Sequence, residues 1–141
     1  MASEAFIDTS GFYALLVKKD DRHRLAADFM REAAKKRRRF VTSDYVLDET
    51  ATLLQARGHF QTVNIFFASV FESQVCRIIW TEADRFIKAK SLFLRRLGQG
   101  WSFTDCVSIV VMKDLRLQEV LTKDAHFQSA GFTVLLAGST D

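Results

Sequence analysis

Four carboxylates stand where a metal-dependent nuclease would need them: Asp8 in FIDTS, Glu49 in VLDETATLL, Asp105 in SFTDCVS and Asp124 in VLTKDAHF. Brought together without a cation, such groups repel one another, which raises their pKa values and destabilises the fold. A divalent ion resolves the conflict. Hard oxygen donors, with neither histidine nor thiolate among them, suit Mg²⁺ or Mn²⁺. In phosphodiester hydrolysis such an ion acidifies a water and neutralises the charge that grows on the transferring phosphoryl group, so no covalent nucleophile is required. A single aspartate after a strand is more often a helix cap or turn former than a ligand. The ordered set of four carries the argument. A phosphatase or haloacid-type hydrolase would place a second acid in a D-x-D arrangement, and FIDTS has Ser10 there.

The elements that would position these acids alternate short apolar runs with longer amphipathic segments, which predicts parallel strands joined by helices. Ala5 to Ile7 reads as a first strand, with Thr9 or Ser10 as the cap of the helix behind it. A helix follows over Arg22–Arg38, its Leu25, Ala26, Phe29, Met30 and Ala33 at the spacing of one buried face. Phe40 to Thr42 is a second strand, and Ser43 caps a helix that stops near Gly58. Helix over Phe60–Ser73, strand over Val75–Trp80, and a helix capped by Thr81 and ending at Gly98 come next. A nearly all-apolar helix over Thr104–Leu115 precedes strands at Val120–Thr122 and Phe132–Leu136, with a short helix between them. Five strands and about seven helices imply a three-layer α/β/α sandwich with a central parallel sheet, since parallel strands need both faces covered. Asp8 and Asp124 then leave strand ends into the crevice where strand order reverses. Asp105 falls in the first turn of its helix, where unsatisfied amides favour a carboxylate. Helical geometry does not separate Glu49 from Asp48.

The chain of 141 residues, 48% hydrophobic and 26% charged, reads as a single globular domain, 1–141. No apolar run approaches the ~20 residues of a membrane span, so a cytoplasmic protein with no membrane contact is expected. Cys76 and Cys106 are expected as buried free thiols. The net charge of +3 is mild, but Lys35, Lys36, Arg37, Arg38 and Arg39 form an unbroken cationic run. It suits a solvated helix end and an RNA-facing patch equally. His126, two residues after Asp124, offers a general base or a metal ligand but is expected rather to pack or order its loop, and His23 and His59 are expected to be surface residues. Asp44 and Asp48 either support the site or are solvent-exposed. Phe66 and Phe67 point about 100° apart on one helix, so one of them is expected to be exposed as a dimer contact or partner groove.

FIDTSGFYALL, YVLDETATLL, WSFTDCVSIVVM and VLTKDAHFQSAGF resemble, in order and spacing, the successive motifs of the PIN-domain ribonucleases, the group that contains the toxins of VapBC toxin–antitoxin pairs. The resemblance runs from Phe6 to about Leu135. It implies a Mg²⁺- or Mn²⁺-dependent endoribonuclease with Asp8, Glu49, Asp105 and Asp124 as catalytic, metal-binding carboxylates, and it favours Glu49 over Asp48. It implies supporting hydroxyls at Ser10 and Thr104. It also implies an RNA substrate, a homodimer, and a protein antitoxin whose C-terminal segment settles near the active site. A housekeeping PIN nuclease without antitoxin, or an inactive RNA-binding module, are the alternatives.

Overall fold

The computed structural model describes residues 3–137. The expected domain, 1–141, includes residues 1–2 and 138–141, which lie outside the described residues. Along the chain run β1 (Glu4–Ile7), α1 (Thr9–Leu16), α2 (His23–Lys35), β2 (Arg39–Ser43), α3 (Asp44–Ala56) and α4 (Phe60–Glu72). Then follow β3 (Cys76–Ile79), α5 (Ala83–Arg95), α6 (Phe103–Asp114), β4 (Glu119–Leu121), α7 (His126–Ser129) and β5 (Thr133–Val134). The strands form one all-parallel sheet in the order β3-β2-β1-β4-β5. The chain therefore steps outward from β1 to β3, returns to the middle, and steps outward again on the other side. Crossovers that keep one hand but reverse direction put their helices on opposite faces. The α/β sandwich with helices on both faces is the architecture expected.

Ala5, Phe6 and Ile7 are buried on both sides, as a central parallel strand must be. α6 is covered nearly all round, with Val107, Ile109, Val111 and Met112 buried, which accounts for its lack of a polar face. The register of the site depends on Gly11. A Cβ there would lie 2.1 Å from the Leu121 carbonyl oxygen, so only glycine lets α1 pack directly on the end of β4. The Asp8 N–H donates to that same carbonyl, 3.2 Å away.

Several boundaries differ from the sequence expectation. Thr81 does not cap α5; its N–H and hydroxyl both donate to the Asp44 carboxylate, and Glu82 holds the N-cap position. α2 ends at Lys35 rather than Arg38, because Arg37 turns into the left-handed region (φ 54°) and the Arg38 N–H returns to the Ala33 carbonyl. The last strand shrinks to Thr133–Val134. Neither Thr9 nor Ser10 caps α1; Asp8 holds that position without a side-chain cap bond. Ser43 does cap α3, accepting from the Val46 N–H. Cys106 is a buried free thiol and Cys76 a half-buried one.

Candidate active site

The reversal of strand order between β1 and β4 opens a crevice at the carboxyl ends of the strands. A cleft of about 690 Å³ occupies it, and Asp8, Glu49, Asp105 and Asp124 all line it. Each arrives from a different element. Asp8 is the residue between β1 and α1, Glu49 projects from the second turn of α3, Asp105 sits in the first turn of α6, and Asp124 follows β4. Asp48, on the same turn as Glu49, is exposed and does not line the cleft.

Each acid is held by a neighbour in a fixed pose. The Thr9 hydroxyl donates to Glu49 Oε1 at 2.6 Å. Thr122 donates to Asp8 Oδ2 at 3.0 Å, shares a hydroxyl–hydroxyl bond of 2.9 Å with Ser10, and accepts from the Asp124 N–H. Ser10 in turn accepts from the Lys123 N–H. Asp105 forms a reciprocal box with Ser102: its Oδ2 accepts from the Ser102 N–H, while the Ser102 hydroxyl accepts from the Asp105 N–H. Asp124 Oδ1 accepts from the His126 N–H, which orders the loop entering α7.

Asp8 is only 4% exposed, and its Oδ1 has no hydrogen-bond partner among the described residues. Burial first, and the nearby Asp105 carboxylate second, push its pKa up to about 7, against the opposing pull of the adjacent Thr9 backbone N–H and the bond from the Thr122 hydroxyl. Asp105 is also raised, by burial and by the charges of Asp124 and Glu49, while its bonds with Ser102 pull the other way. A buried oxygen with no donor, inside a group of mutually repelling carboxylates, is the environment a divalent cation satisfies. The residues present fit such an ion.

Of the supporting hydroxyls expected from the resemblance, Ser10 lines the cleft and acts through Thr122. Thr104 does not line it; Ser102, two positions earlier, makes the contact with Asp105. The cationic run Lys35–Arg39 lies at the start of β2, at the opposite edge of the sheet and roughly 13 Å of strand from the crevice. Two cations not singled out in the sequence stand on the cleft rim instead. Arg57 stacks its guanidinium over the Tyr13 ring, 4.8 Å from the centroid, and Lys123 follows Thr122. A larger depression of about 890 Å³ at the amino ends of the strands contains Glu4 and Glu119, both tied up by Arg77 and Arg38. It brings no acids together. His23 and His59, expected at the surface, are half-buried and bonded, to the Ala14 carbonyl and the Tyr13 hydroxyl respectively.

Residues 5–133 match the PIN domain family model. The VapC ribonuclease of Archaeoglobus fulgidus is 33% identical over 126 residues, covering 87% of this chain and 78% of the relative. The 23S rRNA-specific endonuclease VapC20 of Mycobacterium tuberculosis is 36% identical over 128 residues, covering 90% and 94%. The crystal structure of M. tuberculosis VapC20, a sarcin–ricin loop cleaving toxin, superposes with a TM-score of 0.81 at 33% identity, covering 93% of this chain and 97% of that one.

Proposed function

The chain belongs to the PIN-domain family as a VapC-type ribonuclease, and we propose from that premise that it is a Mg²⁺- or Mn²⁺-dependent endoribonuclease whose cleavage centre is Asp8, Glu49, Asp105 and Asp124. The observation that carries the assignment is the convergence of four acids from four separate segments on one cleft at the switch point of the sheet. When bound, a divalent ion there supplies acidification of the attacking water and neutralisation of charge on the phosphoryl group. The protein's own part is positional. Thr122, Thr9 and Ser102 each fix one carboxylate, so the donor set meets its ion without reorganising. Arg57 and Lys123 on the rim draw the phosphate backbone toward the acids, and the Tyr13 ring holds the Arg57 head in place. Any contact made by Lys35, Lys36, Arg37, Arg38 and Arg39 lies outside the cleavage centre.

The substrate is RNA, and 23S rRNA is the first to test, given the target of the mycobacterial relative. In this reading the protein is a cytoplasmic homodimer held in check by an antitoxin. No helix among the described residues is long and apolar enough to cross a membrane. The toxin reading is favoured over a housekeeping nuclease by the outer face of α4. Phe66 is 1% exposed and packs on Phe12, but Phe67 is 37% exposed and Phe60 66%. Phe67, Phe71 and Trp80 continue one another at centroid spacings of 6.3 and 6.4 Å, an aromatic ridge suited to an apolar antitoxin segment. Phe67→Glu should abolish antitoxin capture without unfolding the chain; unchanged capture and unchanged oligomeric state would remove the ridge from the proposal.

The deciding experiment incubates purified, antitoxin-free protein with total RNA and with ribosomes in Mg²⁺ or Mn²⁺. Discrete fragments that disappear with EDTA and with Asp8→Asn are expected. A folded, metal-binding protein that cuts neither would refute the assignment.

A further inference from the structure

We propose that His126 supplies an imidazole nitrogen to the cation held by Asp105 and Asp124, making this a mixed nitrogen–oxygen centre that discriminates for Mn²⁺ over Mg²⁺. The inference rests on the metal-dependent reading above and adds a ligand to it. One ligating atom each from Asp105, Asp124 and His126 lie within 4.8 Å of one another. Adjacent and opposite ligands of an octahedral ion with bonds of about 2.1 Å are about 3.0 and 4.2 Å apart, so the group has the compass of one coordination shell.

The contact between His126 and Asp124 is more telling. His126 Nδ1 lies 3.0 Å from Asp124 Oδ1, yet it is buried and makes no hydrogen bond. A simple imidazolium–carboxylate pair would aim its N–H at the oxygen. Adjacent ligands around an ion at about 2.1 Å are instead about 3.0 Å apart with lone pairs directed at a common third point rather than at each other. The 3.0 Å contact without a hydrogen bond, at a buried atom of a side chain otherwise 40% exposed, fits that arrangement. Independently, Asp8 Oδ1 is a buried and unpartnered oxygen in the same carboxylate group.

The ring is also held still. It lies against Trp101 with centroids 5.1 Å apart and a 31° tilt, and Trp101 is itself buried between Phe127 and the Arg96 guanidinium. The His126 N–H bonded to Asp124 Oδ1 ties the imidazole and the carboxylate to one turn. A nitrogen donor changes the selectivity of an otherwise all-oxygen set. Mn²⁺ stands at the weak, oxygen-preferring end of the transition series, yet it gains more from an imidazole than Mg²⁺, which prefers oxygen and keeps its waters.

The test uses the full chain, stripped with EDTA and titrated with Mn²⁺ or Mg²⁺. Pulsed electron paramagnetic resonance of the Mn²⁺-loaded protein should show nitrogen-14 modulation that vanishes in His126→Ala. In that variant the Mn²⁺ Kd should weaken at least about 10-fold, while the Mg²⁺ Kd moves by less than about 3-fold. His126→Asn, which keeps the backbone bond and a polar side chain, should lose the nitrogen signal too. Thermal melts in EDTA report whether either variant folds, and the wild-type spectrum decides the matter whatever they show. Bound Mn²⁺ with no nitrogen modulation, or equal weakening for both ions, would overturn the role of His126 and leave the carboxylate centre standing. Failure of the wild-type protein to bind either ion at millimolar concentration would overturn both.

Discussion

Removing the charge at Asp8 should make the metal-free protein more stable while destroying its activity. The Asp8 carboxyl titrates near 7 in the fold against 3.8 for an unperturbed aspartate. Between these values the folded chain holds a proton that the unfolded chain has released. The unfolding free energy therefore falls as pH rises across the window, and levels off above about 7. At about 1.4 kcal/mol per pH unit, the full loss is about 4 kcal/mol as a ceiling. Asp8→Asn keeps the shape and the acceptor for Thr122 and cannot ionise. In EDTA at pH 8 we expect it to exceed wild type by about 2–4 kcal/mol, or roughly 6–12 °C in Tm for a domain of this size. At pH 4 the two should nearly coincide. Adding millimolar Mn²⁺ should reverse the order, because only the wild-type carboxylate gains from the ion. The assay is denaturant or thermal unfolding from pH 4 to 8, with and without metal. A difference between wild type and Asp8→Asn that does not move against wild type as pH rises in EDTA, or an Asp8→Asn variant weaker than wild type at pH 8, would refute the account of a strained carboxylate awaiting a cation.

Glu49→Gln should cost at least about 100-fold in cleavage, whereas Asp48→Asn should leave the rate within about 2-fold, since only Glu49 lines the cleft; single-turnover assays on the same RNA compare them. Arg57→Ala should raise KM more than it lowers kcat, and should flatten the dependence of log Kd on log salt by about 1 when binding is measured with Asp8→Asn as background. Gly11→Ala drives a methyl into the Leu121 carbonyl and should destabilise by about 2–3 kcal/mol or more, measured as a shift of the urea midpoint.

The sequence made the strand-and-helix alternation plain because each apolar run is short and each helix carries its own periodic face. It placed Asp105 in a first helical turn because the apolar run begins beside Thr104, and the fold adds the reciprocal box with Ser102 that holds the carboxylate there. Between Asp48 and Glu49 helical periodicity offered no decision and only the motif resemblance favoured Glu49; the hydroxyl of Thr9, forty positions away, fixes Glu49 in the fold. Thr122, Arg57 and Lys123 gave no signal, because their roles depend on β1 lying beside β4 and α3 ending over Tyr13. The cationic run was the opposite case. Its charge was conspicuous, but charge alone does not say which edge of a sheet it will occupy.

The pairing of β1 with β4 also sets when this protein can become dangerous. Asp8 and its holder Thr122 are 114 positions apart, so the first acid leaves the ribosome long before the strand that completes its crevice. At roughly 5–20 residues per second this gap is on the order of ten seconds of synthesis. Through that interval the emerging polypeptide holds Asp8, then Glu49 and near its end Asp105, without the strand that completes the crevice. Catalytic competence arrives late and all at once, when the last quarter of the chain closes against the first strand. A cell making such an enzyme thus has a built-in delay in which an inhibitor can meet the chain before it is able to cut.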